Sequence, residues 1–152
     1  MHKTLTSIGI ICGIVFSSMV ISCKHGSETK ISSHGDDESH NAGENCMSCH
    51  KIGGKGEGWF ETAGTVYTND YSSTYPNATV YLYTGPEGTG EQKYRIEVDA
   101  LGNFYTTENI EFGSGLYPAV ESANGVEYME STSVSGACNG CHGVTEDPIS
   151  VE

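Results

Sequence analysis

The alternation of apolar and polar positions divides the chain into unlike stretches. From Leu5 to Ile21 the run is apolar, interrupted only by Thr, Ser, Gly and Cys12, with Lys3 ahead of it and no acidic residue. From 24 to 45 the pattern disappears. That stretch is polar, carries Gly26, Ser27, Ser32, Ser33, Gly35 and the pair Asp36-Asp37, and has no period that would bury one face. Between 62 and 131 short alternating runs are bounded by Gly, Asn, Asp and Pro, which predicts strands over 63–68, 78–84, 93–99, 103–107, 116–121 and 126–130. In the second of these, Ala78, Val80 and Leu82 alternate with Thr79, Tyr81 and Tyr83, so one face is buried. Gly85-Pro86-Glu87-Gly88 and Leu101-Gly102-Asn103 supply turns, and helix signals are scarce. The predicted fold class is mainly β: a small β-sandwich over 62–131, flanked by two short irregular or helical-turn segments, 46–61 and 132–152.

The first stretch, 1–22, reads as an export signal, because a short basic start precedes an apolar run without acids. The run is marginal against the roughly 20 residues a spanning helix needs, and a retained membrane anchor is the alternative. Val20-Ile21-Ser22-Cys23 resembles the lipobox of bacterial lipoproteins. That resemblance implies cleavage before Cys23, lipidation of Cys23, and a domain held on a bacterial membrane facing the periplasm or the cell exterior. An ordinary signal peptide cut nearby would leave Cys23 as a free thiol. Residues 23–45 then read as a flexible polar tether, unusual in holding His25, His34 and His40.

Composition narrows the picture. A length of 152 residues allows one compact domain with tails and excludes two large domains. With 20 acidic against 7 basic side chains the formal charge is −13, which argues against nucleic acid or an anionic membrane surface as a direct partner. Counted from Cys23, all 20 acids remain with 6 of the 7 bases, giving −14. Neither a Ser-His-Asp arrangement, nor a phosphate loop, nor a paired-carboxylate motif can be picked out, so no enzymatic activity is expected.

The six cysteines carry the chemistry. Cys12 lies in the signal and Cys23 at its end; the other four form two copies of one pattern, Cys46-Met47-Ser48-Cys49-His50 and Cys138-Asn139-Gly140-Cys141-His142. This is the c-type haem attachment spacing. Two thiols add across the two vinyl groups on one porphyrin edge, the intervening pair lets the chain make a single turn, and the following imidazole lies under the iron. The expected cofactors are two covalently bound haem c groups, anchored by Cys46, Cys49, Cys138 and Cys141, with His50 and His142 as proximal ligands. Short disulfides, a zinc site joining the four thiolates and a thioredoxin-like redox pair are the competing readings. The first two have no use for the following His, and the third needs strand–helix alternation. Candidate distal ligands are His40, His34 and Met129, with His25 also in the count, whereas Met47 reads as a spacer. Trp59 and Phe60 are apolar bulk suited either to covering a haem face or to core packing.

The segment His40-Asn41-Ala42-Gly43-Glu44-Asn45-Cys46-Met47-Ser48-Cys49-His50-Lys51 resembles parts of multihaem c-type cytochromes of anaerobic respiration, where a histidine shortly before the motif recurs. That resemblance implies His40 as a distal ligand, to its own haem or the other. The segment Ser135-Gly136-Ala137-Cys138-Asn139-Gly140-Cys141-His142-Gly143 resembles the final haem site of such exported proteins. The pattern Gly64-x-Val66, Ala78-x-Val80-x-Leu82 and Asp99-x-x-Gly102-x-Phe104 resembles prealbumin-like or carboxypeptidase-regulatory-like sandwiches, which implies fold and not activity. Since chain ends in a compact sandwich often lie close together, the β domain is expected to bring the two attachment segments to one place. The function expected is electron transfer in an anaerobic respiratory or extracellular chain, with basic-surfaced redox proteins, among them other cytochromes, as partners. The alternatives are a reductase or peroxidase with an open iron site, and a haem-free surface-binding β module with metal or disulfide CxxC sites.

Overall fold

The computed structural model describes residues 29–152. The signal stretch, Cys12, the lipidation candidate Cys23 and His25 lie outside the described residues. Among the described residues no helix is long and apolar enough to cross a membrane.

The architecture is a small β-sandwich. One sheet has three strands in the order β5 (Asn103–Thr106), β1 (Thr62–Thr65), β8 (Gly136–Ala137). The other has four antiparallel strands in the order β4 (Gln92–Glu97), β3 (Thr79–Tyr83), β6 (Tyr117–Glu121), β7 (Val126–Tyr128). A parallel pair, β2 (Tyr67–Thr68) with β9 (Ser150–Val151), adds a third small sheet. Alternation places Val80 and Leu82 of β3 inward with Ile96 of β4 and Val120 of β6, where they meet Val66, Val98 and Phe104 in one core. Phe104 is 1% exposed and Val66 and Val98 are fully buried, so the apolar contribution is concentrated in a few side chains worth about 1.5–3 kcal/mol each.

The six expected strands are all present, with one refinement. The run over 63–68 is not one strand. At Val66 the backbone changes partners, its N–H donating to Gly102 O at 2.8 Å and its carbonyl accepting from Tyr75 N at 2.8 Å, before the chain pairs with β9. The turn that receives it is built by Asp99, whose Oδ1 accepts from Leu101 N and Asn103 N, both at 2.9 Å.

The stretch expected to be a free tether is, over 29–45, laid against the sandwich. Ile31 bridges Thr106, Ser32 N donates to Tyr105 O at 3.0 Å, and Thr107 N donates to Lys30 O at 2.8 Å. Ser32 is 2% exposed. No hydrophobic period is needed for this docking, because the backbone completes the open edge of β5 while short polar side chains meet main-chain carbonyls. β8 and β9 escape a reading based on alternation because two residues are too few to show a period.

Candidate functional site

Each Cys-x-x-Cys-His copy folds into the same turn. Cys46–Ser48 and Cys138–Gly140 are single 3-10 turns. Cys49 N and His50 N both donate to Cys46 O, at 3.1 and 2.9 Å, and Cys141 N and His142 N both donate to Cys138 O, at 3.1 and 3.0 Å. In each copy the first cysteine is half-buried and the second exposed.

The histidines are held in the same way. His50 Nδ1 lies 2.9 Å from Glu57 O, and His142 Nδ1 lies 2.7 Å from Asp147 O. A carbonyl oxygen only accepts, so Nδ1 carries the proton in both rings and Nε2 keeps its lone pair. This is the arrangement by which a protein fixes tautomer and ring orientation in a metal-ligating histidine. His50 is further stacked on Phe60, with ring centroids 4.2 Å apart and planes 10° apart, and Phe60 stacks on Tyr105 at 4.8 Å. On its other side the backbone at Gly56 comes so near that a Cβ there would stand 2.6 Å from His50 Nδ1. Phe60 thus buttresses the imidazole, besides lining the cavity beside it. Trp59 is 53% exposed.

His50 opens onto a cavity of about 770 Å³ whose lining includes Cys46, Cys49, His40, Phe60 and Tyr105, within the range of about 300–1,000 Å³ typical of small-molecule and cofactor sites. His40 and His50 have ring centroids 6.0 Å apart, tilted by 41°. Two imidazoles bound through nitrogen at about 2 Å on opposite sides of one metal place their centroids about 6 Å apart. Of the described candidates, His40 is the one whose ring lies in the same cavity as His50. The other two described candidates are elsewhere. His34 Nε2 donates to Ala78 O at 2.9 Å, and His34 N donates to Glu97 Oε2 at 2.8 Å. That ring nitrogen is committed to docking the N-terminal stretch. Met129 follows β7, with its N–H donating to Pro118 O at 3.0 Å, and the cavity around His50 does not include it.

The two copies converge on β1. β8, which runs directly into Cys138, pairs parallel to β1 (Thr62 with Gly136, Ala63 with Ala137), and β9 closes the far side of the second segment on β2. Gly136 is required by this close pairing, because a Cβ there would collide with Glu61 O and Thr62. The first segment reaches β1 from the other side, with Phe60 N donating to His50 O at 3.1 Å and Glu61 N to Thr106 O at 2.8 Å.

Burial raises the thiol pKa of Cys46, and pushes that of Cys138 up to about 12, with the backbone hydrogen bond of Cys138 opposing and Cys141 and Cys46 adding to the rise. Among the described residues no three His, Cys, Asp or Glu side chains converge as a metal-binding group, so the four thiols do not form a ready zinc site. The donor set and the cavity fit haem better than they fit a bare ion. No protein-family model, no curated protein and no solved structure matches this chain.

Proposed function

We propose that this protein is an exported, lipid-anchored dihaem c-type cytochrome that passes electrons between redox partners at the periplasmic or outer face of a bacterial membrane, as part of an anaerobic respiratory or extracellular electron-transfer chain. The observation that carries the reading is the duplicated Cys-x-x-Cys-His turn in which both histidines hand Nδ1–H to a backbone carbonyl and keep Nε2 for a metal. Haem, when bound, supplies a one-electron couple whose potential follows its axial ligands and burial. The chain's own residues do the rest. Cys46, Cys49, Cys138 and Cys141 tether the porphyrins, Glu57 O and Asp147 O orient the proximal imidazoles, and Phe60 holds His50 in place. His40, whose ring lies 6.0 Å from that of His50 in the same cavity, would supply the second nitrogen ligand to the first haem. The acidic surface selects partners with basic faces, and their association weakens as salt rises.

The test is the absorption spectrum of protein purified from a host that attaches c-type haem. Two haems per chain that survive acid–organic extraction, with a reduced α-band and no carbon monoxide binding at the haem held by His50, support electron transfer. Carbon monoxide binding at that haem in the reduced form points to a reductase or peroxidase instead, and a chain without covalent haem sinks the proposal.

A further inference from the structure

Asn139 sits between the two cysteines of the second motif, a place where spacing alone matters for haem attachment, yet it is 4% exposed. Its side chain spends both ends of the amide. Oδ1 accepts from Thr65 N at 3.1 Å, and Nδ2 donates to Thr65 Oγ1 at 3.0 Å and to Glu44 O at 3.1 Å. Glu44 lies two residues before Cys46. The hydroxyl of Thr65 also accepts from Gly43 N at 2.9 Å and donates to Asn103 Oδ1 at 2.7 Å, and Asn103 Nδ2 donates to Ser39 Oγ at 2.8 Å. One buried polar network therefore joins the second Cys-x-x-Cys-His turn, the central strand β1, and both flanks of His40 in the stretch that leads into the first segment. Every amide end in it is used. A buried network satisfied in this way specifies one arrangement, because any other leaves polar groups unpaired in a low dielectric.

We infer that Asn139 is a positioning residue: a latch that fixes the first haem segment against the second and thereby sets the coupling between the two haems. Its consequence for coupling rests on the dihaem reading; the latch itself does not. With two irons held at a set separation, an electron on one makes reduction of the other harder, and this repulsion falls as the separation grows. The two midpoint potentials of the protein are then pushed apart by an amount that the latch controls.

Asn139→Asp in the full chain separates the two halves of the latch. The carboxylate keeps the acceptor for Thr65 N but loses both donors, to Glu44 O and to Thr65 Oγ1, so the stretch ahead of the first motif is released while one bond still holds the second segment to β1. Hydrogen exchange of peptides covering 42–50 should rise at least about tenfold, the scale expected for losing one buried bond and a lower bound for losing two, while exchange over 136–142 stays as in wild type. In the haem-loaded protein the gap between the two midpoint potentials should narrow. Unchanged exchange over 42–50 overturns the latch, and raised exchange with an unchanged gap overturns its role in coupling. If Asn139→Asp does not fold, Thr65→Val removes the shared hydroxyl and is judged by the same two readouts. A wild-type chain without covalent haem sinks the dihaem reading, while the exchange result still decides the latch.

Discussion

Phe60→Ala tests whether the first histidine is held by its aromatic neighbour. Phe60 lies between His50 and Tyr105, with centroid separations of 4.2 and 4.8 Å, and aromatic stacks of this kind are worth about 0.5–1.5 kcal/mol each beyond the area they bury. The ring is half-buried, so its loss falls below the 3–5 kcal/mol typical of a fully buried Phe→Ala change. A loss of about 2–3 kcal/mol follows, which for a domain of this size lowers Tm by about 10 °C. The local consequence separates this from generic destabilisation. His50 keeps its bond to Glu57 O but loses the face that stops the ring from rotating, so in the haem-loaded protein the spectrum and potential of one haem shift while those of the other hold. Phe60→Leu should recover most of the stability without restoring the spectrum, because it fills the space but offers no flat face. Thermal unfolding followed by circular dichroism, with electron paramagnetic resonance of the oxidised protein, gives both readouts. A Phe60→Ala protein as stable as wild type, or one in which both haem signals move equally, refutes the reasoning.

Three further expectations follow from the same geometry. His40→Ala should change the ligand-field signature of one haem, whereas His34→Ala should leave both signatures unchanged and instead loosen the N-terminal stretch, seen as faster hydrogen exchange over 29–38. Gly136→Ala should destabilise the protein by about 1–3 kcal/mol or more through overpacking, because its Cβ has no room beside Glu61 and Thr62; chemical denaturation within 0.5 kcal/mol of wild type would contradict the close pairing of β8 with β1. The Glu97 carboxyl is held below its ordinary value of 4.5, first by the backbone N–H of His34 and then by Arg95. A depressed folded pKa contributes stability that is present above the ordinary value and is lost as pH falls through the depressed one, so the docked stretch should release only below about pH 4.5. Proton NMR of the His34 amide across pH 3–7 checks this, and release well above pH 4.5 would contradict it.

Much of the fold was legible because its strands obey a period of two. Val80 and Leu82 alternate with Thr79, Tyr81 and Tyr83, which pointed to one buried face, although Thr79 at the strand start is buried as well, and the Leu101-Gly102-Asn103 turn was visible in its residues. What alternation could not show was pairing by very short or polar pieces. Ile31–Ser32 and β8 are held mainly by backbone hydrogen bonds and a close approach at Gly136, and β9, though its Val151 enters the core, is too short for alternation to show. The candidate site divides in the same way. Cys46, Cys49, His50, Cys138, Cys141 and His142 are named by spacing alone. Phe60 was visible as apolar bulk with two possible uses, whereas Asn139 had no signal at all, since a residue inside Cys-x-x-Cys reads as filler until its neighbours in space are known.

The sequence by itself determined the mainly β class, the two attachment turns and the acidic surface, because each depends on residues close together in the chain or on totals over it. Only the tertiary structure decided that His40 faces His50 while His34 is spent on Ala78, and that the two motifs, about ninety positions apart in sequence, meet on one strand. Those outcomes depend on which elements pair and at what register. That is settled by burying Val66, Phe104 and their neighbours in one core while satisfying the polar groups that burial strips of water.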